Sequence, residues 1–546
     1  MKSGFGLIDY LIFFGYCGII IFIGLFVSRT KSGKEKTAKD YFLADKSLPW
    51  WAIGSSLIAA NISAEQYIGM SGSSYAIGLA IASYEWIAAL GLIVVAIFIL
   101  PVFLKKEIYT MPQFLQMRFD NRVRTTLATF WLLVYVFVNL TSVMWLGALA
   151  LSTIFGIPVF WGIIGLALFA AIYSVYGGLK AVALTDVVQV VFLIGGGLLT
   201  SYLALKAIGA GEGAIAGFHN LTSQVAEKFH MIIQKGDLMI PDGKGGMVDA
   251  WTILPGLSVI IGGIWVANIA YWGFNQYIIQ RGLAAKSIRE AQYGLLFAGF
   301  LKLLIPLIVV IPGIAAFLIS KNPSAYGLEG VAGIVKSDQA YPWLLHNIVP
   351  VGVKGIAFAA LVAAIVSSLA SMLNSTSTIF TMDIYRSWFK ESPSESRLVR
   401  VGRLTSIIAL IIAVIAAKPL LGTLDQAFQF IQEFTGFITP GVCVIFLFGL
   451  FWKRTTSNAA LWGVGLSIPV SFAFMIFLPQ VPFMNRWGYV FLILSAIMIT
   501  ISLVESKVDH PKAIILEKGI FKVTPIFRFW MIVLIGLLAT LYTIFW

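Results

Sequence analysis

Charge is what this sequence has least of: only 12% of its 546 residues are Asp, Glu, Lys or Arg, against roughly 25% in soluble domains. That scarcity excludes a soluble globular fold. Cysteine is nearly missing as well. Cys17 and Cys443 both fall in apolar stretches, so no disulfide framework is implied. The four histidines, His219, His230, His346 and His510, all lie in predicted loops, so no metal site is expected. No segment fits the phosphate-cradling pattern G-x-x-x-x-G-K-[ST]; "DGKGG", Asp242 to Gly246, fails it, and nucleotide-driven pumping is not indicated. Arginine does not recur every third residue in a span, against a voltage sensor. No carbonyl-lined filter sequence occurs, against a selective channel. Neither His nor carboxylate clusters mark an interfacial catalytic centre, and no enzyme activity is expected.

What the chain does have is apolar length: 59% of it is hydrophobic, with a mean hydropathy of +0.90. Runs of about 20 apolar residues recur throughout, each enough to cross a bilayer as a helix. The pattern predicts an all-α integral membrane protein with about fourteen transmembrane helices, the first near 7–28 and the last near 527–546. Strands of a barrel would be about ten residues long and alternating. The first span is too long for a signal segment and lacks a small-residue cleavage site, so it is expected to be retained. The net charge of +13 would suggest nucleic acid in a soluble protein. Here most Lys and Arg gather in alternate loops, above all "RTKSGKEKTAKDYFLADK" and "LKKEIYTMPQFLQMRFDNRVR". Basic loops stay inside, which with an even span count puts both termini outside a cell (inner or plasma) membrane.

Several spans are interrupted by hydrogen-bonding groups. "SLIAANISAEQYIGMSGSSY", Ser56 to Tyr75, starts as an apolar helix and then places Asn61, Ser63, Glu65 and Gln66 in its middle. Unpaired backbone inside a bilayer is tolerated only beside protein or a water-filled cavity. Transporters with inverted repeats carry such breaks at matching places in both halves. "ANIAYWGFNQ" at 267–276 repeats the Ala-Asn-Ile of 60–62 five spans later. The match predicts two five-helix repeats, 48–209 and 252–452. They are preceded by a span and basic loop at 1–47, separated by an outer loop at 210–251, and followed by peripheral spans at 453–546.

Unwinding near Asn61 would release the carbonyls of Ala59 and Ile62 for a hard cation such as Na+. In "AAIVSSLASMLNSTSTIFT", Ser367, Ser371 and Ser375 share one helical face. Ser368 and the carbonyl of Ala364 would complete an all-oxygen cage, one without a carboxylate and so suited to a monovalent ion rather than Ca2+ or Mg2+. The same serines equally suit close helix packing and bonds to their own backbone. Glu85 and Lys302 are ionisable residues within apolar spans, each costing about 2.5–3.5 kcal/mol on insertion scales. Asn61, Gln66, Asn268 and Gln432 add amides that both donate and accept. One acid and one base leave a pocket neutral, suited to a neutral polyhydroxylated ligand, with Tyr271 and Trp272 offering flat faces to it. Alternatively Glu85 snorkels from a span end and Lys302 merely pairs with it.

Taken together these stretches resemble the sodium/solute symporter family and its sodium/glucose and sodium/galactose branch. "GGLKAVALTDVVQ" at 177–189 carries the most specific match. "ASYEW", "WVANIAYWGFNQYIIQR", "AAIVSSLASMLNSTSTIFTMDIY" and "QAFQFIQEFTG" extend it over roughly 1–460. The resemblance implies a leucine-transporter-type fold, a 5+5 inverted repeat with broken helices and alternating access, importing a neutral hexose with Na+. It assigns sodium to the carbonyls of Ala59, Ile62 and Ala364 and the hydroxyls of Ser367 and Ser368. It assigns sugar to Asn61, Gln66, Glu85, Asn268, Lys302 and Gln432. Tyr271, with Trp272 beside it, becomes the inner gate, Met70, Tyr84 and Phe428 the outer gate, and Asp186 a station on the sodium exit route. Two departures stand out. Ala88 replaces a serine that contacts the sugar in close sugar-transporting members, and Ala370 replaces a hydroxyl of members with a second sodium site, which implies one Na+ per sugar. A symporter for myo-inositol or another small solute is the alternative; a channel or sensor on the same scaffold is a more distant one.

Overall fold

A computed structural model describes residues 5–28, 41–42, 44–241, 246–389, 393–421 and 427–546. Most of the basic stretch beginning at Arg29, and most of "DGKGG", lie outside the described residues. Among the described residues, ten helices are long and apolar enough to cross a membrane, or eleven if a pair bent by 75°, Ala250–Ile261 and Gly263–Phe274, counts as one span. Two shorter apolar helices, Val159–Ile172 and Thr439–Phe451, accompany them. The count depends on breaks. Val159–Ile208 runs as one 50-residue helix except at Gly178, whose φ of 68° interrupts it. A Cβ there would meet the carbonyl oxygen of Tyr41 at 2.5 Å. Both the left-handed backbone and the close approach therefore require glycine.

Helix Lys354–Ile379 forms the axis of the bundle; 94% of the apolar window of its span is buried, against 17% for Leu7–Val27 and for Pro525–Ile544. Its Ala- and Ser-rich sequence explains the position, because small side chains let neighbouring backbones approach closely. Helices Ile311–Lys321 and Ser71–Ile77 approach in the same way at Gly313, where a Cβ would stand 1.9 Å from Ser74 Oγ and 2.3 Å from the Ser71 carbonyl oxygen. Gly313→Ala is therefore expected to force the two helices apart at a cost of about 1–3 kcal/mol. A melting temperature in detergent equal to that of the wild type would contradict this.

The 210–251 loop is not purely helical: beside helix Ala214–Gln224 it holds an antiparallel hairpin, Met239–Pro241 paired with Met247–Asp249. Its Lys228 is 3% exposed. The ammonium donates to the carbonyls of Tyr75 (3.3 Å) and Ala76 and lies 4.4 Å from the centre of the Phe317 ring. Burial pulls its pKa down to about 8, against an upward pull from Glu227 and with a further downward push from Lys321. The loop thereby holds the end of Ser71–Ile77 by its last carbonyls, where a cation is favoured by the helix dipole.

Candidate functional site

The break expected near Asn61 lies one residue beyond it. Helix Trp50–Asn61 ends, Ile62 is extended (φ −79°, ψ 105°), and the chain resumes as a π turn, Glu65–Met70, leading into Ser71–Ile77. In an unbroken helix the Ser63 N–H would donate to the Ala59 carbonyl; instead it donates to Gln66 Oε1 at 2.9 Å, joined by Ser63 Oγ at 3.1 Å. The Glu65 N–H donates to Ser63 Oγ at 2.9 Å. The polar residues of the interruption thus satisfy its own peptide groups, which a bilayer interior demands. The second interruption falls within the expected stretch 267–276, at its far end. Helix Gly263–Ile269 continues through a π turn, Ala270–Phe274, and breaks at Asn275 (φ −80°, ψ 121°). There the Asn275 side chain caps Gln276–Leu283 by accepting from the Tyr277 N–H.

Between these broken helices lies a cavity lined by both polar and aromatic side chains. All six residues expected to bind substrate and all five expected gate residues line it, as does Ala88. Lys302, 1% exposed, donates to both Glu85 and Asn61 and lies 5.0 Å from the centre of the Trp272 ring. Asn61 in turn donates to the Tyr271 hydroxyl at 2.9 Å. Glu85 is 3% exposed and ion-paired, so it does not snorkel. Trp272 Nε1 donates to Asn268 Oδ1 at 3.2 Å, and Asn268 Nδ2 to the Ile264 carbonyl at 3.0 Å. The Tyr84 and Phe428 rings meet edge to face at 5.5 Å. Gln66 lines the cavity with its oxygen engaged at the break.

Sequence reasoning passed over Glu65, Trp131, Asn139, Asn275 and Tyr277, which share the cavity wall. Glu65 carried a signal, being an acid in the same interruption; it accepts from Ser142 Oγ at 3.0 Å. Asn275 and Tyr277 stand in the quoted stretch "WVANIAYWGFNQYIIQR" without being singled out, and Trp131 and Asn139 lie in an apolar span that gave no local sign.

Ala59, Ile62, Ala364, Ser367 and Ser368 are all fully buried, but the two hydroxyls turn to different partners. Ser368 Oγ donates to the Ala60 carbonyl at 3.0 Å and ties the central helix to the break. Ser367 Oγ donates to Asp186. Asp186 also accepts from Ser56 Oγ and pairs with Arg281 at 3.4 Å, both charged side chains being fully buried. Arg281 further donates to Ser56 Oγ (2.8 Å), the Ser56 carbonyl (3.2 Å), the Tyr277 carbonyl and Ser371 Oγ. Ser371 Oγ also bonds back to the Ser367 carbonyl, and Ser375 Oγ donates to Gln280 Oε1 at 3.0 Å. Two of the three serines on the predicted face are thus engaged by Gln280 and Arg281. Those residues stand in "NQYIIQR", within the family-like stretch, yet nothing local marks them as reaching four helices.

A bundle of apolar helices, two of them broken around a buried neutral ion pair, defines a membrane transporter. The profile of the Sodium:solute symporter family matches residues 41–466, and the chain belongs to that family. It is 51% identical to the sodium/glucose cotransporter of Vibrio parahaemolyticus, covering all of this chain and 99% of that protein. It is 33% identical to the sodium/myo-inositol cotransporter 2 of Mus musculus, covering 83% of this chain and 68% of that one. Among solved structures, a substrate-bound, outward-open Na+-coupled sialic acid symporter superposes with a TM-score of 0.78 at 26% identity, covering 91% of this chain and 98% of that one.

Proposed function

We propose that this chain is a sodium-driven symporter that imports a neutral hexose, galactose or glucose, by alternating access, with one Na+ per sugar. The observation that carries this reading is the Lys302–Glu85–Asn61 cluster: a base, an acid and an amide meet in one buried cavity, where their charges balance and their remaining polar capacity suits hydroxyls. The 51%-identical relative, a sodium/glucose cotransporter, supports the same substrate class. Asn61, Gln66, Glu85, Asn268, Lys302 and Gln432 bind the sugar. Met70, Tyr84 and Phe428 close over it, and Tyr271 with Trp272 closes beneath. Sodium is held by the carbonyls of Ala59, Ile62 and Ala364 with Ser367 and Ser368, and leaves past Asp186.

The architecture in this reading is fourteen spans in a cell membrane with both termini outside. Two inverted five-helix repeats, 48–209 and 252–452, are flanked by 1–47 and 453–546, with 210–251 as the outer loop. Sodium pins the broken helix against Lys354–Ile379 and favours the state open to the outside. One charge falling through 100 mV and a tenfold gradient together supply about 3.7 kcal/mol, enough for roughly 500-fold accumulation. Myo-inositol is the second reading, favoured by the relatives that carry that name and by Ala88 in place of a serine.

The test is uptake of labelled galactose, glucose and myo-inositol into proteoliposomes with and without an inward Na+ gradient. Electrogenic, sodium-driven hexose accumulation is the expected outcome. Ser368→Ala, which loses the tie to Ala60, is expected to raise the half-saturating Na+ concentration about tenfold, or 1.4 kcal/mol. Sodium-independent uptake would remove the coupling to Na+, and the absence of sodium-driven uptake of any of the three solutes would remove the hexose reading.

A further inference from the structure

The cavity does not end at Tyr271. Its wall continues with Trp131, Asn275 and Tyr277, and the Tyr271 hydroxyl stands at the junction. That hydroxyl accepts from Asn61 at 2.9 Å on the side of Lys302 and Glu85, and lies 2.7 Å from the Tyr277 hydroxyl on the other. The far lobe has its own framework. Tyr135 donates to Asn275 Oδ1 at 2.6 Å, and its ring meets that of Tyr277 edge to face at 5.6 Å. Trp131 stacks on Tyr135 with centroids 5.2 Å apart and planes 24° apart. Asn275 spends its oxygen on Tyr135 and on capping Gln276–Leu283, which leaves its NH2 as a donor.

One group in this lobe is out of balance. The Trp131 indole N–H is buried, in a residue 6% exposed that lines the cavity, and no protein group accepts from it. An unmet buried donor is costly, and a ligand oxygen would relieve it. An indole N–H, an amide NH2 and two tyrosine hydroxyls beside aromatic rings suit a neutral polyol: donors meet its hydroxyls and the rings its C–H surface.

We propose that this lobe is a second, transit subsite for the transported sugar, entered once Tyr271 moves aside and before release, with Trp131 Nε1 donating to a sugar hydroxyl. The proposal rests on the hexose reading. It makes passage a hand-over between two sets of donors rather than a single escape into water.

The full-length chain in proteoliposomes tests it with D-galactose as the probe. Trp131→Phe keeps a flat ring and removes the N–H. Equilibrium Na+-dependent galactose binding is expected to stay within twofold of wild type, while the turnover number for uptake falls about fivefold. Asn275→Asp, which keeps the capping oxygen and removes the NH2, is expected to show the same split. Wild-type turnover in Trp131→Phe would overturn the subsite while leaving the hexose reading intact, as would a rise in Kd matching the fall in turnover. A wild-type chain that takes up neither galactose nor glucose would overturn both.

Discussion

Lys302→Ala is expected to lower sodium-driven hexose uptake at least 100-fold, about 2.8 kcal/mol. The reasoning starts from burial. Lys302 and Glu85 are 1% and 3% exposed and form an ion pair deep among the helices. Removing one partner of such a pair leaves the other charge uncompensated, typically at 3–5 kcal/mol. The same ammonium also engages Asn61 at the edge of the broken helix, so its loss reaches both the proposed substrate wall and the helix that carries two of the proposed sodium carbonyls. Stability and transport separate in a double variant. Lys302→Met with Glu85→Leu replaces the pair with apolar groups and is expected to recover most of the melting temperature lost in Lys302→Ala, yet not to transport. Uptake by the double variant near the wild-type rate would show that the pair serves packing alone.

The second large effect is expected at Arg281, which sequence reasoning did not single out. Its guanidinium donates to groups on Trp50–Asn61, on Lys354–Ile379 and on its own helix, and pairs with Asp186 on a fourth. Arg281→Met strands Asp186 in an environment with no exposure, and a destabilisation of about 3–5 kcal/mol is expected. Arg281→Lys should recover little, because a single ammonium cannot reproduce a planar fork of five donors. Asp186→Asn in the Arg281→Met background removes the stranded charge and is expected to restore part of the melting temperature measured in detergent. Equal melting of Arg281→Met and wild type would show that this network contributes nothing to holding the four helices together.

The membrane class of this protein was legible in the sequence, because hydropathy and loop charge are properties of single segments and survive without knowledge of neighbours. So was the first break. Asn61, Ser63 and Gln66 lie within a few residues of one another, and the bonds that satisfy the opened backbone are local. Glu85 and Lys302 stood out for a related reason: an ionisable group alone in an apolar span demands a partner, and two such groups of opposite sign suggest each other.

The division of labour between Ser367 and Ser368 was decided only by tertiary structure. They are adjacent in sequence, but one donates to Asp186, 181 residues away, and the other to Ala60, 308 residues away. The second break shows the same limit. The stretch 267–276 was legible as the place, but only the structure carries the helix through a π turn to Asn275, which Tyr135 holds from 140 residues off. Arg281 and the lobe around Trp131 were likewise invisible, since their surroundings come from other helices. Helical periodicity places a residue on a face of its own helix; which acceptor or cavity that face meets depends on how the helices cross, and that is fixed by packing across the whole bundle.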